Sequence, residues 1–240
     1  MVIPFPVGPA VAVTVGAALS AFHRLWRGGH APTVRRMDTD MKALALVCSL
    51  RASPAESSSG LIARQVLDEL AGHGVAGESV RVADHDVRPG VEDDMGGGDE
   101  WPAILEKVRA ADILVLATPT WLGNPSSIAQ RVLERLDAQL SATDEDGRPA
   151  MFGKVAVVAV VGNEDGAHKI VADTFQGLND IGFTIPAQGA TYWNNEAMNP
   201  VDYKDLDSTP SAVASTITTL SSNAAHLARF LRREQYPAVG

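Results

Sequence analysis

The chain has 240 residues, 45% of them hydrophobic and 20% charged, with a formal net charge of −9; this is enough for one well-packed globular domain or two small ones. No acidic residue precedes Asp38, whereas Arg24, Arg27, Arg35 and Arg36 do, so the remainder carries 16 of the 20 basic residues against all 29 acidic ones, a balance of −13. Such a body repels a nucleic-acid backbone, and the single cysteine, Cys48, excludes an intrachain disulfide or a cysteine-built metal centre within one chain and makes the cytoplasm the natural compartment.

Residues 2–22 form an apolar run containing Pro4, Pro6 and Pro9 and followed by His23, Arg24 and Arg27. Its length would cross a bilayer, but the prolines and the weak apolarity of Ala, Gly and Thr argue against a robust span. A secretory signal carries its positive charge ahead of the apolar stretch, not behind it. A reversed anchor fits the charge order; a disordered extension, or translation upstream of a start at Met37 or Met41, is the preferred reading. The expected division is an extension over 1–40 and one domain over 41–240, with membrane association not expected.

From Met41 onward short apolar runs alternate with amphipathic ones. Residues 42–48 (KALALVC) read as a strand buried on both faces. Leu61, Ile62, Val66, Leu67 and Leu70 recur at helical spacing, and Gly72 and Gly74 end that helix. Residues 79–83 give a second strand, and 84–100 a polar loop made flexible by Gly96, Gly97 and Gly98. A short helix over 101–110 has Pro102 in its first turn. Residues 113–117 form a third strand, Ile128, Val132, Leu133 and Leu136 mark a helix, and 155–161 form a fourth strand. Ile170, Val171, Phe175 and Leu178 mark a helix ending near Gly182, and 183–187 make a fifth strand. Val213, Ile217, Leu220, Ala224, Leu227 and Leu231 then give the stripe of one long terminal helix. Five strands alternating with five helices specify an α/β fold, a parallel sheet covered on both sides. In such sheets ligands bind beyond the C-terminal ends of the strands, so function is sought in the loops after strands one, three and four.

The first loop, residues 49–60, runs into a helix N-terminus, where free amides and the helix dipole favour an anion. Ser49, Ser53, Ser57, Ser58 and Ser59 supply hydroxyls and Arg51 a planar cation. There is no dinucleotide fingerprint and no P-loop; the serines read either as phosphate ligands or as a helix cap. In the second loop, Pro119 and Pro125 stiffen the chain, Gly123 permits close backbone approach, Trp121 offers a flat surface at the rim and Asn124 a hydrogen-bonding edge. The third loop places Asn163, Glu164, Asp165 and Gly166 before His168. Asp165 is read as a helix N-cap, with His168 in the first turn. With no second acid–histidine cluster, no metal is expected. His85 is read as a surface histidine. A phosphate cradle, a stacking platform and a polar rim together suit a phosphorylated flat heterocycle, with FMN the obvious candidate.

The order of these pieces over residues 42–190 resembles the flavodoxin-like NADPH-dependent FMN reductase family and its quinone-reductase relatives. Residues 49–51 are similar to that family's phosphate-loop opening, and residues 118–125 (TPTWLGNP) to its second flavin loop. The resemblance implies a flavodoxin-like three-layer sandwich with a five-stranded parallel sheet of order 2-1-3-4-5. It assigns the phosphate to Ser49, Arg51, Ser57, Ser58 and Ser59, one border of the ring to Pro119, Thr120, Trp121, Leu122, Gly123 and Asn124, and its other side to Asn163, Glu164, Asp165 and Gly166. The run of serines stands where many relatives carry Asn. The implied activity passes reducing equivalents from NAD(P)H through FMN to a quinone or similar flat acceptor, with no catalytic side chain required, in a homodimer or homotetramer. The alternatives are a flavodoxin-like electron carrier, or a flavin-free binding module that retains the fold. Residues 192–198 are expected either at a subunit contact or over the pocket.

Overall fold

The computed structural model describes residues 41–238, and the expected extension over 1–40, with its anchor alternative, lies outside them. Five long strands, β1 (Met41–Val47), β2 (Val75–Arg81), β3 (Ile113–Trp121), β5 (Val155–Gly162) and β6 (Ala190–Asn194), form a parallel sheet in the order β2-β1-β3-β5-β6. This is the winding order expected, with a sixth, two-residue strand β4 (Asn124–Pro125) folded back antiparallel on β3. The helices are α1 (Ser58–Gly72), α2 (Trp101–Ala110), α3 (Ser127–Leu136), α4 (Ala167–Ile181) and α5 (Ser211–Arg233).

Both faces of the sheet are covered, which is why its central strands carry unbroken apolar runs instead of alternation. Successive side chains still point to opposite faces. Ile113, Val115 and Ala117 of β3 join the core shared with α1 and α5. Leu114 and Leu116 join the core shared with α2, α3 and α4. Each fully buried Val, Leu or Ile contributes about 1.5–3 kcal/mol against the entropy of ordering, so the two layers hold the strand ends in fixed register.

Three expectations are corrected. The fifth strand is Ala190–Asn194, not 183–187. Phe183 is buried and Thr184 makes an isolated bridge to Val155, but Pro186 has no N–H to give and a turn closed by Gly189 N–H to Pro186 C=O (3.1 Å) delays pairing. The polar loop over 84–100 is not loose. The Arg135 side chain reaches into it, donating to the carbonyls of Glu92 and Arg88 and to the Asp99 carboxylate at 2.6 Å. The N-cap of α4 is Gly166, not Asp165; the Asp165 carboxylate instead accepts from the Gly166 N–H at 2.6 Å. Among the described residues no helix is long and apolar enough to cross a membrane.

Candidate functional site

The C-terminal ends of β1, β3 and β5 converge on a cavity of about 290 Å³. Ser49, Arg51, Ser57, Ser58 and Ser59 line one end, Pro119, Thr120 and Trp121 another side, and Val161, Gly162 and Asn163 a third. A larger open groove, about 670 Å³ between α3 and α4, has neither the hydroxyl-rich loop nor the strand ends.

The first loop is held from beneath. Ser53 donates its N–H and hydroxyl to the two oxygens of Asp84 at 2.6 and 2.8 Å, and these bonds hold that carboxyl below its ordinary range. Arg81 donates to the Ala55 carbonyl at 2.6 Å. Ser57 caps α1, its hydroxyl accepting the Gly60 N–H at 3.1 Å, so the cap reading applies to that serine. The next amides, of Ser58 and Ser59, begin the helix and have no intrahelical acceptor by geometry. Cys48 lies just before this loop, fully buried, and burial pushes its thiol up out of the reactive range. Its carbonyl accepts the Ser126 hydroxyl at 2.6 Å, tying β1 to the N-cap of α3.

The second loop is a hairpin rather than a free loop. β3 runs on through Trp121, turns at Leu122 (φ 52°) and Gly123 (φ 71°), and returns as β4. Two successive positive φ values are those of the tight turn that suits strand twist. Leu122 adopts this conformation without being glycine, and is 89% exposed. Its N–H is taken by the Glu164 carboxylate at 2.9 Å, and its carbonyl accepts from the Asn124 amide at 2.8 Å. The hairpin tip and third loop thus brace each other. Trp121 is 53% exposed, at the cavity rim as read from the sequence.

The site residues therefore divide. Nine face the cavity: Ser49, Arg51, Ser57, Ser58, Ser59, Pro119, Thr120, Trp121 and Asn163. Leu122, Gly123, Asn124, Asp165 and Gly166 line a separate open cavity beyond the hairpin, with His168 and Tyr192 (Nε2 to hydroxyl 3.0 Å). Glu164 serves as the brace between them. Asn163 is itself engaged, donating to the Asn199 carbonyl at 2.8 Å.

Sequence reasoning missed the far wall beyond residues 192–198, the segment expected either at a subunit contact or over the pocket. Trp193 of β6, Asp202, and Tyr203 and Lys204 of the 3₁₀ turn over Tyr203–Asp205 complete the cavity. The Tyr203 hydroxyl donates to Gln65 at 2.6 Å, and its ring packs on Trp193 with centroids 5.5 Å apart. No motif announces these residues; only folding brings them beside a loop some 145 positions earlier.

Thr120 tests whether the cavity fits a polar flat ligand. Only 4% exposed, it lines the cavity, and its hydroxyl has no hydrogen-bond partner within the protein. A buried polar atom of this kind costs stability unless something pairs with it. The half-exposed indole, free helix amides and Arg51 add a stacking surface and an anion end, so the residues fit FMN. Among the described residues no group of three His, Cys, Asp or Glu could hold a metal ion.

The profile of the NADPH-dependent FMN reductase family matches residues 41–197. An 8-demethyl-8-aminoriboflavin-5'-phosphate synthase of Streptomyces davaonensis is 33% identical over 206 residues, covering 82% of this chain and 80% of that protein. A divalent metal cation transporter MntH of Mycobacterium bovis is 37% identical over 202 residues, and the match spans 80% of this chain but only 29% of that protein. Among solved structures, RosB with bound 8-demethyl-8-formylriboflavin-5'-phosphate is similar with a TM-score of 0.74 at 32% identity, over 82% of both chains. A flavone reductase shares the fold alone, with a TM-score of 0.60 at 14% identity over 82% of this chain and 66% of its own.

Proposed function

Because the chain belongs to the NADPH-dependent FMN reductase family, we propose that it is an FMN-dependent oxidoreductase passing reducing equivalents from NAD(P)H to a quinone or similar flat acceptor. The observation that carries this reading is the single cavity joining hydroxyls, Arg51 and the α1 N-terminus at one end to the exposed face of Trp121 at the other. Bound there, FMN supplies the hydride chemistry. The protein's part is positional: the first loop holds the phosphate, Trp121 stacks, and Thr120 meets a polar edge of the ring system. Leu122 and Met198 (90% exposed) stand free beside the rim, where a homodimer or homotetramer would cover them.

A second reading takes FMN as substrate, its ring modified instead of cycled. It is favoured by the 32–33% identity, over four-fifths of both chains, to a synthase and a crystal structure whose names describe altered riboflavin phosphates. One experiment separates these readings from the carrier and the flavin-free module. The full chain is scanned for a visible flavin spectrum without oxygen, before and after NADPH or NADH, and its flavin is then extracted and weighed. A spectrum that bleaches rapidly with the flavin mass unchanged supports the oxidoreductase. A changed ring mass supports the synthase, and a flavin that neither nicotinamide bleaches supports the carrier. A colourless chain that added FMN does not stabilise sinks the flavin reading.

Thr120→Val gives a test of opposite signs. Removing the orphan hydroxyl is expected to raise the stability of the flavin-free protein by about 1 kcal/mol, while loss of one neutral hydrogen bond weakens FMN binding roughly fivefold. Thermal shifts with and without FMN read both; a variant less stable without flavin contradicts the assignment.

A further inference from the structure

The family match ends at residue 197, yet the cavity is closed by residues that follow it. The 3₁₀ turn over Tyr203–Asp205 is fixed to α1 at two points. The Lys204 N–H donates to the Ser58 hydroxyl at 3.2 Å, and the Tyr203 hydroxyl donates to Gln65, whose amide donates in turn to Thr209 at 2.8 Å. This tether holds Lys204 in the wall of the cavity at its hydroxyl-rich end, beside the first turn of α1. The ionisable groups in that wall are Arg51 and Lys204 on one side of the balance and Glu56 and Asp202 on the other. The lining residues therefore offer no surplus of positive charge where a dianion is to sit. The Lys204 ammonium is paired with Asp205 at 2.7 Å and lies 3.8 Å from Asp202. Both carboxylates are about half exposed and can share it.

We propose that Lys204 is a phosphate-binding residue of this site, a clamp supplied from beyond the matched segment that gives the cavity its selectivity for a flavin phosphomonoester over the unphosphorylated flavin. This rests on the flavin reading above. The clamp adds a charge-assisted bond that acts only on the phosphate. Asp202, which caps the turn and lines the cavity, and Asp205, within the turn, oppose the same charge.

The test titrates the flavin-free full chain with FMN and, separately, with riboflavin, following flavin fluorescence. Lys204→Met is expected to weaken FMN binding about tenfold or more while changing riboflavin binding less than twofold, and Lys204→Arg to retain most of the FMN affinity. Asp202→Asn moves the other way, tightening FMN several-fold and leaving riboflavin unchanged. Equal losses for both flavins would mark Lys204 as a structural support and overturn the proposal, as would an unchanged FMN affinity. If Lys204→Met does not fold, Asp202→Asn decides alone, and an unaltered FMN affinity in it counts against the clamp. A wild type that binds FMN while the variants behave alike overturns only the clamp. A wild type that binds neither flavin overturns the flavin reading and the clamp together.

Discussion

Replacing Arg135 with alanine is expected to lower the unfolding free energy by about 3–5 kcal/mol, the cost of leaving a buried carboxylate without its partner. The side chains of Arg135 and Asp99 are both fully buried, with Nη1 and Oδ2 2.6 Å apart. The guanidinium uses its remaining donors on the carbonyls of Glu92 (3.1 and 2.8 Å) and Arg88 (2.9 Å), and lies 5.6 Å from the centre of the Trp101 ring. Asp99 collects the N–H groups of Met95, Arg88 and Trp101. One helix side chain therefore organises the whole connection between β2 and α2. For a domain of this size the loss corresponds to a fall in melting temperature of roughly 6–20 °C. The double variant Arg135→Met, Asp99→Leu is expected to recover only part of it: no charge is orphaned, but the N–H groups of Met95, Arg88 and Trp101 and the carbonyls of Glu92 and Arg88 lose their partners. Denaturant unfolding of the two single variants and the double variant measures the coupling. A single-variant loss under about 1 kcal/mol, the range of an exposed pair, would show that the pair does not hold this loop.

The same pair sets an acid limit. Burial alone would raise the Asp99 carboxyl, but the Met95 N–H, Arg135, and the Arg88 and Trp101 N–H groups outweigh it and hold it down at about 2, against an ordinary 3.8. A depressed carboxyl stabilises the fold fully above its unfolded value and loses that contribution as pH falls through the folded one. The Arg135–Asp99 contribution is therefore intact above pH 4 and disappears between 4 and about 2. In Asp99→Asn that part of the acid limb flattens.

The sheet was legible because β1, β3 and β5 are apolar on both faces, and only a doubly covered parallel sheet asks for that. The winding order came with the resemblance of the loops. What stayed hidden depended on contacts distant in sequence. The two prolines of residues 118–125 read as a stiff loop, yet Pro119 lies within β3 opposite Val161. It is tolerated there because β1 is paired with β3 only as far as Ala117, leaving that edge free. The burial of Arg135 left no mark in the sequence, since nothing local distinguishes a buried arginine from a solvated one. Tyr203 and Lys204 follow a polar, aperiodic stretch, so neither pattern nor motif could assign them to the wall facing Ser58.

Gly166→Ala is expected to separate the second and third loops and to weaken FMN binding at least about tenfold, with a loss of about 1–3 kcal/mol in stability. Gly166 sits at φ +125°, and a Cβ there would stand 2.6 Å from the Gly123 Cα and 3.0 Å from its carbonyl carbon and oxygen. The obstacle is backbone, so no side chain can swing aside. Relief requires the hairpin tip and the loop before α4 to part, and the Glu164 brace to the Leu122 N–H then breaks. Trp121 and Thr120, immediately before that tip, lose their fixed height above the cavity. Gly123→Ala is the control for strain without collision: φ there is +71°, but the nearest atom to a new Cβ is 3.8 Å away. It is expected to cost only about 1–2 kcal/mol of backbone strain and to change FMN affinity little. If the two variants lose affinity equally, the hairpin's own conformation shapes the rim and the Gly123–Gly166 contact is incidental. If Gly166→Ala alone loses it, the meeting of the two glycines sets the geometry of the stacking face.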